Sequence, residues 1–297
     1  METIGRVHYS VMQSAQRKLG KFDLAIISDG TYYLDAGSMF GVVPKPLWSK
    51  RYKADEQNRI ACGTNSVLVR GGGRTVLIET GIGNKLPEKL DRIYAAKHAL
   101  LTNLEVAGVK REEVDTVINS HLHFDHCGWN TFHNGEGKLE VTFPNARYYV
   151  QRGEWEHAQR QHERDRVSYI SDNYNPLIDR GQMTLLDGPA EICEGIRVEI
   201  YAGHTRHMQA IYIESEGQTA CYISDLIPTS RHLDLTWVMS YDLYPLDTIN
   251  NRKRYYREAV NTSDAPQRFL TIFTHDHETP WAWLHRDDQG RIVHTAA

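Results

Sequence analysis

The chain reads as an α/β protein with two β-sheets packed together and helices outside. Three observations carry this reading. Strand-type segments recur in both halves, helical periodicity is confined to a few stretches, and no repeat or low-complexity linker divides the 297 residues. Residues 22–28 (FDLAIIS) read as a strand. Asp29-Gly30 is a turn signal, and residues 31–34 are expected to return as its hairpin partner. Residues 66–70 and 75–79 form a second hairpin around Gly71-Gly72-Gly73-Arg74. No Gly-Lys-Ser/Thr follows those glycines, so they are a turn and not a phosphate loop. Leu86, Leu90, Ile93, Leu100, Leu101 and Leu104 keep helical spacing across residues 86–108. Residues 114–119 are strand-type. Residues 154–166 are so charged that a solvated helix face is expected. Residues 196–200, 210–213, 219–224 and 269–274 follow as strands, and residues 250–260 as a helix.

Residues 1–20 are largely polar and are expected to form an N-terminal arm, mobile or swapped, ahead of a single domain over 21–297. Apolar residues make up 40% of the chain, ample for a core, and the net charge of −4 gives no global basic field. That balance disfavours nucleic acid as a partner. No apolar stretch approaches the length of a membrane span. The opening Met1-Glu-Thr-Ile-Gly-Arg6 lacks the pattern of a secretion signal, and Cys62, Cys127, Cys193 and Cys221 form no Cys-x-x-Cys. A cytoplasmic protein with reduced thiols is expected.

The run His121-Leu-His123-Phe-Asp125-His126 places four metal-competent side chains within six residues, directly after a strand-type segment. Imidazole and carboxylate suit zinc and similar divalent ions. A spacing of two puts His121 and His123 on one side of an extended segment, and Asp125 and His126 can face a second metal beyond the turn. Three downstream strand-to-loop junctions supply further candidates. His204 follows the flexible Gly203 and is preferred over His207. Asp225 ends an apolar strand and, as a carboxylate, can bind two cations at once. His275 is the first histidine after another apolar strand, with His277 as the second choice.

This ordered set, His-x-His-x-Asp-His at 121–126, Gly-His-Thr at 203–205, Asp225 and the late His275, resembles the metallo-β-lactamase superfamily of binuclear metal hydrolases. The resemblance spans about residues 60–280. It implies an αββα sandwich, two mixed β-sheets flanked by helices, with the metals at one edge. It also implies that His121, His123 and His204 hold one metal, that Asp125, His126 and His275 hold the other, and that Asp225 bridges them. Two divalent ions are implied, zinc by default, with Mn, Fe or Co accepting the same ligands. A metal-bridging hydroxide would attack the substrate, with Asp125 or Asp225 as the catalytic proton acceptor.

Within the superfamily, the run 121–129 looks like that of the single-domain lactonases, which open acyl-homoserine or related lactones. A small molecule bearing a lactone or ester is therefore the expected partner. Three positions depart from the pattern. Glu79-Thr-Gly stands where many members have Asp-Thr-Gly. Arg206-His-Met follows Gly-His-Thr where many have Pro-Gly-His. Pro228 occupies the place of a substrate-contacting Tyr, a role Tyr241 or Tyr244 could fill. Met39, Phe40, Trp48, Trp281 and Trp283 are candidates for an apolar pocket wall, and exposed aromatics with the polar arm would suit a homodimer. The alternatives are an organophosphate or aryl-ester hydrolase of the same fold and, in a different class, a di-iron redox enzyme. The latter usually carries Glu where His123 stands here, together with a flavin domain.

Overall fold

The computed structural model describes residues 16–297. Its strands are β1 (Gln16–Leu19), β2 (Phe22–Asp35), β3 (Arg59–Gly71), β4 (Arg74–Ile78), β5 (Thr116–Ile118), β6 (Thr131–His133), β7 (Leu139–Val141) and β8 (Arg147–Gln151). The second half adds β9 (Met183–Leu186), β10 (Ala190–Cys193), β11 (Ile196–Ile200), β12 (Gln209–Ser215), β13 (Gln218–Tyr222), β14 (Phe269–Ile272), β15 (Trp281–Arg286) and β16 (Ile292–Ala296). One sheet has the order β1-β2-β3-β4-β5-β8-β9, the other runs from β10 to β16 in sequence, and β6 and β7 form a small ribbon. Both sheets are mixed: β4, β5, β8 and β9 pair in parallel, as do β13 and β14, while the other ladders are antiparallel.

Alternation along the strands explains the layering. In β3, Val67 and Val69 face the second sheet and meet Ile211, Ile213 and Ile272, whereas Leu68 faces outward. There it packs with Leu100 and Leu104 of the helix Leu100–Val106 and with Ala158 of the helix Arg152–Arg160. The outer face of the second sheet is covered by the helix Pro245–Ala259, where Tyr255 and Tyr256 pack with Ala210 and Tyr212. The layers are thus αββα. Strands covered on both faces must be apolar at consecutive positions, which is why residues 66–70 read so strongly. Each fully buried aliphatic side chain contributes about 1.5–3 kcal/mol.

Several expectations are corrected. The sequence Asp29-Gly30 is not a hairpin turn. Residues 22–35 form one strand, β2, paired along its length with β3, and Asp29-Gly30 is the irregularity where Ser28 pairs with Asn65 and Thr31 with Gly63. One extra residue in β2 makes this a bulge, with Gly30 at φ +105°. The turn expected at Gly71-Gly72-Gly73-Arg74 is present, with Gly72 and Gly73 both at positive φ, as a two-residue hairpin requires. The polar arm does not extend to residue 20: Gln16–Leu19 pair with β2, and residues 1–15 lie outside the described residues. The periodic stretch 86–108 is two short helices, broken at Ala95 and His98, which both have positive φ. Trp281 is buried between the sheets, and Arg17 covers Trp281 and Trp283. Met39, Phe40 and Trp48 are core residues too. These side chains belong to the packed interior, with Trp283 alone half-buried, and they offer no exposed aromatic patch for a second copy.

His232 is one of these core groups. Its ring stacks on Phe40 at 4.8 Å, its Nε2 donates to the Met39 carbonyl, and Thr229 Oγ1 donates to its Nδ1. Burial, reinforced by Arg252, pushes its pKa down to about 3. The unfolded chain therefore takes up a proton near pH 6.5 that the folded chain refuses. The stabilising effect is complete above that pH and is lost as pH falls towards 3, at up to about 1.4 kcal/mol per pH unit. In urea unfolding between pH 6 and 4, His232→Gln is expected to show a shallower loss of stability with acid than the parent. Parallel slopes would show that His232 plays no part.

Candidate metal centre

The candidate residues come from the ends of four strands. His121, His123, Asp125 and His126 follow β5. His204 follows β11, Asp225 follows β13 and His275 follows β14. Backbone bonds from Gly63 N to the His275 carbonyl and from Asn65 N to the Thr274 carbonyl tie the two sheets together at this edge. Glu79, just after β4, and Ser224, just before Asp225, sit at φ +61° and +52°. Non-glycine residues reach that region at a cost of about 1–3 kcal/mol, and such strain concentrates at functional sites.

All seven candidates are brought together. The donor atoms of His121, His123 and His204 lie within 4.8 Å of one another, and so do those of Asp125, His126 and His275. Asp225 stands between the trios. Its Oδ2 is 3.3 Å from His204 Nε2, and its Oδ1 is 3.4 Å from His126 Nε2 and 3.2 Å from His275 Nε2. Of the two alternatives considered, His277 is exposed, and His207 packs against Gly153 on the helix Arg152–Arg160.

The donor chemistry fits divalent ions. His204 Nδ1 donates to Asp242 at 3.0 Å and His275 Nδ1 donates to the Gly63 carbonyl at 2.8 Å. A neutral imidazole that gives one N–H leaves a lone pair on its other nitrogen, so both Nε2 atoms point lone pairs inward. His204 Nε2 is only 3.0 Å from His123 Nδ1. Two nitrogens sharing a tetrahedral zinc at about 2.0–2.1 Å would stand about 3.3 Å apart. His121 Nε2, both nitrogens of His126 and Asp225 Oδ1 are buried without a hydrogen-bond partner. Orphaned buried polar atoms carry a penalty that a shared cation would remove.

The charges within the cluster act in opposite directions on its imidazoles. Burial, with neighbouring imidazoles, holds His121 and His123 well below the ordinary histidine range. Burial would also lower His126 and His204, but Asp225 overcomes it in both, joined by Asp125 at His126 and by Asp242 at His204, and both are raised. Burial would raise Asp225, but His275, His126 and His204 hold it well below the carboxylate range.

Sequence reasoning missed the residues that orient this cluster. Glu154, expected on a solvated face, is fully buried. It accepts from Leu122 N at 3.2 Å, Tyr169 OH at 2.9 Å and Thr205 Oγ1 at 2.6 Å. One carboxylate thus fastens the backbone between His121 and His123, the residue after His204, and a tyrosine packed edge-on to His123 at 4.8 Å. Glu79, the departure noted above, accepts from Ser120 N at 2.8 Å and lies 3.5 Å from His126 Nδ1. Asp242 also accepts from Thr248 Oγ1 at 2.6 Å. The phenol that meets the cluster belongs to Tyr32, which donates to Asp125 Oδ2 at 2.6 Å. Tyr241 packs with the aromatic core, and the Tyr244 ring lies under Arg206. Cys127 is buried and donates to the Leu122 carbonyl, a packing role.

Known proteins resemble this chain in sequence and in fold. The pattern of the metallo-beta-lactamase superfamily matches residues 59–286, and the chain belongs to that superfamily. Its relatives and structural neighbours are metal-dependent hydrolases and lactonases. An N-acyl homoserine lactonase of Bacillus cereus is 30% identical over 117 residues, and one from a Bacillus species is 31% identical over 113. The matched stretches cover 39% and 38% of this chain and only 40% and 38% of those lactonases. A probable metal-dependent hydrolase from Staphylococcus aureus is 30% identical, with a TM-score of 0.83 over 95% of this chain and 99% of its own. The dizinc quorum-quenching lactonase AidC and the hydrolase AbOPH share the fold, at TM-scores of 0.76 and 0.77 and 20% identity, each over 95% of this chain and 96% of its own.

Glu154→Ala strips three buried donors of their acceptor. The variant is expected to lose about 3 kcal/mol or more in denaturant unfolding and to retain less metal after dialysis. Unchanged stability would dismiss the clamp. Asp242→Asn, which keeps the shape and removes the charge, is expected to weaken binding of one metal equivalent by about 10–100-fold in chelator competition.

Proposed function

We propose that this chain is a binuclear metal hydrolase that opens lactones. The observation carrying this reading is the division of Asp225, with one oxygen toward His204 and the other toward His126 and His275. On this reading His121, His123 and His204 would hold one cation, Asp125, His126 and His275 the other, and Asp225 both. Two such ions, zinc by default with Mn, Fe or Co as alternatives, supply an ionised water near neutral pH and Lewis acidity toward a carbonyl oxygen.

The remaining work falls to the chain's own residues. Asp125 keeps the most exposed side chain of its trio, at 12%, so it stands where substrate enters. Its carboxylate accepts the proton released on attack and returns it to the ring oxygen as the lactone opens. Asp225, buried and held ionised, carries negative charge between the two trios and offsets their mutual repulsion. Tyr94, half-buried and stacked on Phe124 at 5.3 Å, presents aromatic surface next to Asp125. That surface suits a substrate with an apolar tail or ring. The lactonase relatives support the substrate class. The four cysteines are all free, which suits the reducing cytoplasm.

A phosphotriester or aryl ester is the second reading. At the level of the fold the chain stands as near to AbOPH as to AidC, so the fold does not choose between them.

Proton release on metal-loaded protein decides the matter, with an acyl-homoserine lactone, an aromatic lactone and a paraoxon-like phosphotriester run in parallel. Lactone turnover is expected to dominate, to vanish on chelation and to return on metal addition. His123→Ala is expected to lower kcat/KM by more than the roughly 10–100-fold that orienting partners are worth. Turnover of the phosphotriester alone would replace the lactone reading.

A further inference from the structure

Tyr32 joins the cluster from outside every motif that defines it. Its hydroxyl donates to Asp125 Oδ2 at 2.6 Å, and its ring lies 5.7 Å from that of His275. It therefore touches two of the three donors in the trio Asp125, His126 and His275. The same Oδ2 stands 3.6 Å from His275 Nε2 and 3.8 Å from His126 Nε2. Tyr32 has no exposed surface, and Tyr94 packs edge-on to it at 6.2 Å while stacking on Phe124, the residue before Asp125.

We propose that Tyr32 is the positioning residue of the second cation site, fixing the Asp125 carboxylate so that Oδ2 faces His126 and His275. The inference rests on the reading of Asp125 as a metal ligand. Asp125 needs such a partner. It is the one residue of the four-residue helix Phe124–Cys127 that is not buried, and among the described residues its carboxylate accepts only this one hydrogen bond. A carboxylate free to rotate would have to be ordered each time a cation bound, and that ordering subtracts from affinity. A phenol is a neutral donor, so it orients the carboxylate without neutralising it.

The bulge in β2 is what delivers the tyrosine. Before it, odd-numbered residues such as Ala25 and Ile27 face the helices and even-numbered Leu24 faces the second sheet. Ala25 pairs with Leu68 and Tyr32 pairs with Cys62, both even-numbered positions of the uninterrupted β3. Paired residues share a face, so Tyr32 emerges on the side of Ala25 although its own number is even. The extra residue at Asp29-Gly30 reverses the alternation, and without it Tyr32 would point to the opposite face. Asp29 locks the bulge by accepting from Leu100 N, Ile82 N and the Trp129 indole.

Cobalt titration of the metal-free full-length chain, followed by absorption, tests the proposal without any substrate. The parent is expected to take up two equivalents. Tyr32→Phe keeps the ring and is expected to bind the first equivalent normally and the second about 10–100-fold more weakly. Asp125→Asn is expected to show a similar loss, and the double variant Tyr32→Phe/Asp125→Asn little more than either, because the two act as one unit. Normal binding of both equivalents by Tyr32→Phe, or losses that simply add in the double variant, would overturn the proposal. So would an altered KM for substrate with metal binding intact, which would make Tyr32 a substrate contact. A parent that binds a single equivalent would bring down the two-metal reading itself, whereas inactivity toward lactones with two equivalents bound would bring down only the substrate class.

Discussion

The arrangement turns on one buried carboxylate, Asp225, set between two groups of imidazoles. Burying a lone carboxylate is costly, and burying several imidazoles with their lone pairs converging is costly as well. The two costs offset one another, because Asp225 lies within 3.4 Å of nitrogens from three different loops. Removing any partner would leave a charge or lone pair stranded in the interior, where breaking a buried pair costs about 3–5 kcal/mol. Each loop end must therefore be held by something stronger than loop geometry. The positive φ values at Glu79 and Ser224 show how tightly the backbone is drawn in to meet this requirement.

Three further carboxylates do the holding, each in a different way. Asp242 grips one imidazole, that of His204, and is itself fixed by Thr248. Glu154 grips two loops at once through a backbone amide and a threonine hydroxyl. Glu79 grips the chain just before His121 and reaches toward His126. The longer side chain of Glu79, where a shorter Asp is common, spans from the end of β4 to both Ser120 N and the His126 ring. A departure from the family pattern thus serves the same edge of the sheet.

The parts legible in the sequence were those with a local signature. The dense run 121–126 is chemically unusual over six residues, Asp225 and His275 each follow an apolar strand, and His204 follows a strand and the flexible Gly203. Strand periodicity likewise located β11 to β14, because alternation and apolar runs are short-range properties. What escaped depended on partners distant in sequence. Glu154 sits in a stretch crowded with charge, and nothing nearby reveals that Leu122 and Thr205 will meet it. Tyr32 is one of 16 tyrosines, and its role follows from a bulge that local reading takes for a hairpin turn. Asp-Gly favours both, and only the uninterrupted length of β3 decides between them.

The same dependence on distant partners governs the loop that joins Asp225 to Asp242. Both ends carry carboxylates that face His204, so any drift in the loop would misplace the two together. Arg252, on the helix Pro245–Ala259, prevents it. The guanidinium is fully buried, and its Nε donates to the Leu226 carbonyl while Nη1 donates to those of His232, Asp234 and Trp237. No carboxylate pairs with it directly among the described residues. Carbonyl oxygens disperse the charge instead, and the planar fork of arginine can collect several from one loop where a lysine ammonium could not hold the same geometry. Burial pulls the Arg252 pKa down, and Tyr256 and Asp242 act against that fall. The cation that shapes the loop is thereby coupled electrostatically to the carboxylate at its far end. A helix on the outer face of the second sheet in this way sets the position of two acids at its edge.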